Sequence, residues 1–157
     1  MAYRTFRDFL AVSEQQGLLR RITKSVDRTW EPAALAKWAF QALPDDDRFG
    51  LLFDKVEGSE FRLVTAALGA STHSYALGLG VSREEVNDKW TQALLNPIAP
   101  TKVKEAPCQE VVHTGDDVRL SDLPIPTWTP GKDVGPYITT ITVTHNADSG
   151  EQNMGVY

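Results

Sequence analysis

The sequence has a single cysteine, Cys108, so it closes no internal disulfide, and that usage points to a reducing compartment such as the cytoplasm. It has no long apolar run. Nothing approaches the roughly 20 consecutive apolar residues that a membrane-spanning helix needs, and the opening MAYRTFRDFL lacks the basic-then-apolar plan of a secretory signal. It has no basic surplus either. With 16 Lys and Arg against 21 Asp and Glu, the net charge of −5 argues against nucleic acid or an anionic membrane as partner, because no excess of cations is present to displace counterions. The short catalytic words are missing as well. There is no GxGxxG or GxxxxGK[ST] in the glycine-rich stretch from Gly69 to Gly80, no HExxH, and no serine elbow. His73, His113 and His145 are far apart, and Cys108 follows a proline with no paired histidine, so no catalytic residue is assigned.

What is present is globular: 41% hydrophobic and 24% charged residues in 157 positions, enough for one domain or one domain plus part of another. Thr5 and Asp8 cap a helix with Phe6, Phe9, Leu10 and Ser13 on one face, stopped by Gly17. Leu18–Ile22 reads as a strand whose Arg20 and Arg21 point to opposite faces of a solvated edge. Trp30-Glu31-Pro32 starts a second helix with Leu35, Trp38, Ala39 and Ala42 at helical spacing. Asp45-Asp46-Asp47 is a solvated loop; three consecutive carboxylates in a turn cannot all face one cation.

Gly50–Phe53 and Phe61–Leu68 form a hairpin across Glu57-Gly58-Ser59, and Ser74–Leu79 is a short helix ended by Gly80, with His73 a surface or capping residue. Ser82 and Glu85 make a capping box for a helix to Leu95 that buries Val86, Trp90, Ala93 and Leu94. Thr101–Cys108 is a linker, Gln109–His113 a possible strand, and no internal repeat is visible. Residues 1–105 therefore read as an α/β (α+β) domain, and 106–157, all β and proline-rich, as the incomplete start of a second.

The second part is organised by Leu123–Tyr157. Pro124, Pro126 and Pro130 force an extended path, and Gly131 and Gly135-Pro136 lead into the β-branched run Ile138–Thr144. Asn146–Gly150 is a turn and Gln152–Tyr157 the returning strand. Thr140, Thr142 and Thr144 share one face, with Ile141 and Val143 on the other. A face of hydroxyls suits a polar, planar ligand, although on spacing alone the favoured reading is that these threonines simply face water. Asn153 by itself reads as a turn residue after Gly150.

The string DLPIPTWTPGKDVGPYIT followed by NMGVY resembles the UbiD-type decarboxylases, which use prenylated FMN. The resemblance is sharp from Asp122 onward and weak over residues 1–105. It implies the N-terminal α/β domain of that family followed by the first strands of its split β-barrel flavin-binding domain. It implies that Thr140 lies against the cofactor and that Asn153 helps hold a divalent metal, Mn2+, which with K+ retains the flavin phosphate. The family's other metal ligands and its catalytic Glu-Arg-Glu set are expected downstream of Tyr157.

The implied activity is reversible removal of carbon dioxide from an unsaturated or aromatic carboxylic acid. By the resemblance this chain is an N-terminal portion, inactive alone, that works with the remainder of the decarboxylase in cis or in trans in a homo-oligomer. The alternative is a non-catalytic binding or assembly module.

Overall fold

The computed structural model describes residues 3–156. Its first helix, α1 (Phe6–Gln15), has the expected Thr5 N-cap, and Asp8 completes it as a reciprocal box: Thr5 Oγ1 accepts from the Asp8 amide and the Asp8 carboxylate accepts from the Thr5 amide. Phe9 and Ser13 turn inward, while Phe6 is exposed and stacks on Phe9 at 6.2 Å. Gly17, at φ 76°, ends the turn after α1 and delivers the chain into β1 (Leu19–Ile22). Helix α2 (Glu31–Ala42) follows, with Pro32 in its first turn. Strand β2 (Gly50–Phe53) then returns parallel to β1, and β3 (Leu63–Thr65) pairs antiparallel to β2, giving a sheet of order β1-β2-β3.

The expected hairpin of β2 and β3 is present; the parallel β1–β2 pairing came from no local signal. All four residues of β2 are buried because the strand is covered on both faces. Leu51 and Phe53 face α2 in a cluster with Val26, Ala36, Ala39, Phe49 and Val56, and by the two-residue period of a strand Leu52 faces the side of α1.

The core face of α2 differs from expectation. Pro32, Ala33, Ala36 and Ala39 are buried, whereas Leu35 and Trp38 are exposed. Small side chains let the helix axis lie close to the sheet, and the larger residues flank the contact. Helix α3 (Thr72–Leu79) is capped by Ser71, whose side chain accepts from the Ser74 amide, and ends at Gly80 in the left-handed region, φ 68°.

Helix α4 (Val86–Leu95) is shorter than expected. Only half of the capping box forms: the Glu85 carboxylate accepts from the Ser82 amide at 2.9 Å, and no return bond from Ser82 Oγ accompanies it. None of its residues is buried, so Val86, Trp90, Ala93 and Leu94 form an apolar stripe without a covering layer among the described residues.

Residues 96–120 hold only single 3-10 turns, and the strand expected over Gln109–His113 is absent because no neighbouring strand pairs with it. The chain ends in an antiparallel pair, β4 (Ile141–His145) and β5 (Gln152–Val156). Ile138–Thr140 lies outside the strand, and Tyr157 lies outside the described residues.

Candidate functional site

The proline-rich strap before β4 rests on the first sheet unit. Arg28, in the turn ahead of α2, donates from Nη1 to the carbonyls of Ser121 at 2.8 Å and Leu123 at 2.9 Å. Its own carbonyl accepts from the Thr127 amide at 3.2 Å, and Ser59 Oγ donates to the Asp122 carbonyl at 2.6 Å. Beyond the strap the chain folds back on itself. Trp128 Nε1 donates to the Tyr137 carbonyl at 3.0 Å, and the Tyr137 amide donates to the Pro126 carbonyl at 3.3 Å.

The clip borders an open cavity of about 410 Å³ along the free edge of β3, lined by Leu63–Ala66, Leu123–Pro126, Trp128 and Tyr137–Thr140. The lining is largely aliphatic and aromatic, with Thr139 and Thr140 among its polar residues. Thr65, also in the lining, is 4% exposed, and its hydroxyl has no hydrogen-bond partner. Such a group costs about 1–3 kcal/mol unless something pairs with it.

The β4–β5 register decides which side chains share a face. Thr142 is opposite Gly155 and Thr144 opposite Asn153; Ile141 is opposite Val156 and Val143 opposite Met154. Asn153 therefore belongs to the hydroxyl face, and glycine opposite Thr142 leaves that face open. Thr140 sits at a bend just before the strand, on the cavity wall.

Asn153 is not part of the turn. That role falls to Asn146, whose Oδ1 accepts from the amides of Asp148 at 2.8 Å and Ser149 at 3.0 Å, while Gly150 closes the loop at φ 70°. Asn153 is exposed, and its side chain makes no hydrogen bond among the described residues. No group of three or more His, Cys, Asp or Glu among the described residues could hold a metal.

The three histidines stay apart, as expected. His73 lies near Arg83 on α3, His113 is exposed in the irregular stretch, and His145 ends β4 opposite Gln152. Within the Asp45–Asp47 triplet, Asp45 and Asp46 are ion-paired rather than simply solvated. Arg83 meets Asp46 at 2.6 Å and Asp45 at 3.4 Å, and Arg48 meets Asp45 at 3.7 Å. These pairs neutralise the polar depression beside α3 from within.

Arg20 and Arg21 do part to opposite sides of the edge strand. Arg20 covers the Phe49 ring at 3.7 Å, and Arg21 bridges Glu14 and Asp54. The hydrogen bonds from Arg21 hold the Glu14 carboxyl below the usual range. A backbone bond from Thr29 does the same for Asp27, beside Arg28. Sequence reasoning missed Arg28, Ser59 and Thr65. The first two bond to partners 93, 95 and 63 positions away, for which no local pattern exists.

Comparison with known proteins bears on the fold and the family. Residues 10–94 match the 3-octaprenyl-4-hydroxybenzoate carboxy-lyase N-terminal domain, and residues 101–157 the Rift-related domain of the same carboxy-lyase. Among solved structures, an evolved dimeric form of the UbiD-class enzyme HmfF from Pelotomaculum thermopropionicum, in complex with prFMN, is 34% identical. The match covers 98% of this chain and 35% of that one at a TM-score of 0.84. The closed form of vanillic acid decarboxylase from Sedimentibacter hydroxybenzoicus is 29% identical, with 100% and 35% covered and a TM-score of 0.83. The apo 3,4-dihydroxybenzoic acid decarboxylase from Enterobacter cloacae is 25% identical, with 99% and 34% covered and a TM-score of 0.83. The chain thus spans about a third of the length of these structures. With both family models matched in order along it, the chain belongs to the UbiD family of carboxy-lyases.

Proposed function

We propose that this chain supplies the N-terminal α/β domain, residues 1–105, and the opening of the split β-barrel flavin-binding domain, residues 106–157, of a prenylated-FMN-dependent decarboxylase. The observation that carries the reading is the β4–β5 register. It puts Asn153 on the same face as Thr142 and Thr144, and Thr139 and Thr140, in the segment leading into β4, are among the residues lining the cavity. The prFMN complex of one structural neighbour and the FMN complex of another support the cofactor class. The aromatic acids in the names of two others, vanillic and 3,4-dihydroxybenzoic acid, support an aromatic or unsaturated carboxylic acid as substrate.

When bound, prenylated FMN supplies the electron sink for loss of carbon dioxide. In this reading the chain's own residues bind and orient. Thr140 would offer its hydroxyl to the flavin, and Leu63, Ile125 and Ile138 would supply apolar contact. The Asn153 amide oxygen would be one ligand to Mn2+, which together with K+ would retain the flavin phosphate; hard cations favour such oxygens. No residue of this chain is assigned to proton transfer. That step, and the remaining metal ligands, fall to the other two thirds of the enzyme, in the same polypeptide or a partner subunit. A homo-oligomer in the cytoplasm is the expected setting.

The test is to supply the full-length protein containing this chain with prenylated FMN, Mn2+ and K+ and to measure carbon dioxide release from a panel of aromatic and α,β-unsaturated acids. Turnover on at least one acid by the full-length protein, and none by the 157 residues alone, is the expected result. A full-length protein that binds no flavin and releases no carbon dioxide would contradict the assignment.

A further inference from the structure

We propose that Arg28 is a positioning residue: it fixes the strap from Ser121 to Thr127 against the first sheet unit and so sets the cavity wall that carries Thr139 and Thr140. The inference rests on the flavin-site reading above and deepens it by naming what holds that wall in place.

The strap cannot hold itself. Pro124 and Pro126 have no amide hydrogen, so this segment cannot extend the sheet as a regular strand along the free edge of β3. Its carbonyls still need partners where they approach the protein. Arg28 and Ser59 serve as those partners. One guanidinium nitrogen takes the carbonyls of Ser121 and Leu123, and the serine hydroxyl takes the carbonyl between them, of Asp122. The Arg28 carbonyl then receives the Thr127 amide, so a single residue grips the strap at three points over seven positions.

Among the described residues no carboxylate forms an ion pair with that guanidinium. The ion pairs among the described residues belong to Arg21, Arg48 and Arg83. The turn that presents Arg28 is itself fastened. Asp27 Oδ1 accepts from the Thr29 amide at 2.8 Å, and Glu31 accepts from the Asp27 amide at 2.7 Å.

The grip reaches the site through short steps. Pro126, held between the Leu123 and Thr127 contacts, is the only buried residue beyond Ala76 among those described. Its carbonyl binds the Tyr137 amide, and Trp128 binds the Tyr137 carbonyl. Tyr137 stands three residues before Thr140, and both line the cavity. Releasing Arg28 frees the strap, the clip and the threonine wall together.

The experiment uses the full-length protein that contains this chain, loaded with FMN, as wild type, Arg28→Met and Arg28→Lys. Methionine keeps an apolar stem and removes every donor. Lysine keeps one nitrogen with three hydrogens, which suffices because one nitrogen makes both side-chain bonds. Amide exchange at Thr127 and Tyr137 reads the grip, and the rate of FMN release reads its consequence.

With methionine, exchange at both amides should rise at least about tenfold, the effect of losing a single charge-assisted bond at the low end of its range, and FMN should leave several-fold faster. Exchange at Leu51–Phe53 should stay unchanged, and lysine should restore most of both effects. Unchanged exchange at Thr127 and Tyr137 in the methionine variant would overturn the grip. Faster exchange with FMN release unaltered would overturn the positioning role. A lysine variant no better than methionine would overturn the two-carbonyl contact as the cause. A wild-type protein that holds no FMN would overturn the flavin-site reading itself, and the wild-type sample separates that failure from one at Arg28.

Discussion

Asn146→Ala tests how far the β4–β5 pair depends on its turn. The side-chain oxygen of Asn146 accepts from two amides, those of Asp148 and Ser149, and alanine removes both bonds. The backbone closure remains: the Asn146 amide to the Glu151 carbonyl and the Gly150 amide to the Asn146 carbonyl, each 2.9 Å. The whole turn is exposed, so the freed amides find water and each lost bond counts at the low end of the usual range, about 0.5 kcal/mol. The sum is about 1 kcal/mol, or roughly a fivefold rise in the opening equilibrium, since 1.4 kcal/mol is tenfold.

A two-stranded sheet exposed on both faces has little stability in reserve, so the change should be read directly. Amide exchange over Ile141–His145 and Gln152–Val156 should accelerate about fivefold, with Leu51–Phe53 unaffected. No change in the hairpin would refute the view that the Asn146 turn sets its stability. An equal change in β2 would refute the independence of the hairpin from the first sheet.

Other perturbations have outcomes of different sign. Phe53→Ala empties the centre of the α2 cluster, where Phe53 is fully buried, and should cost about 3–5 kcal/mol by denaturant titration. Ala66→Gly relieves a left-handed backbone, φ 55°, and should stabilise by about 0.5–1 kcal/mol after the entropic cost of glycine, visible as a raised midpoint. The Glu14 carboxyl is held below its ordinary range by Arg21, so its contribution is present above the unfolded-state value and is lost as pH falls through the lower, folded-state value. Glu14→Gln should therefore flatten the acid limb of a stability–pH curve relative to wild type.

Local chemistry made much of the fold legible. The Thr5–Asp8 cap, Gly17, the Gly80 stop and the Asn146–Gly150 turn each declare themselves within four or five residues, and the structure has all of them. The face of α2 was misread because periodicity locates apolar side chains, while the distance between helix and sheet decides whether alanines or tryptophan fill the contact. The stripe on α4 was legible as an apolar face, but what covers such a face lies outside any helical pattern.

For the candidate site, the threonine and asparagine positions came from the family resemblance and the alternation of a strand. Their common face emerged only with the register, which depends on loop length between Thr144 and Asn153. Arg28 was invisible because its partners are nearly a hundred residues away.

The central claim is that the hydroxyl face of β4–β5 is one edge of a metal-anchored flavin site. Its most direct test is the manganese and flavin content of the full-length protein after gel filtration, for Asn153→Ala beside Asn146→Ala. Loss of an oxygen ligand at Asn153 should weaken metal retention by about 10–100-fold and shed flavin with it, while Asn146→Ala keeps both near wild type. An Asn153→Ala protein that retains full manganese and flavin would contradict the account.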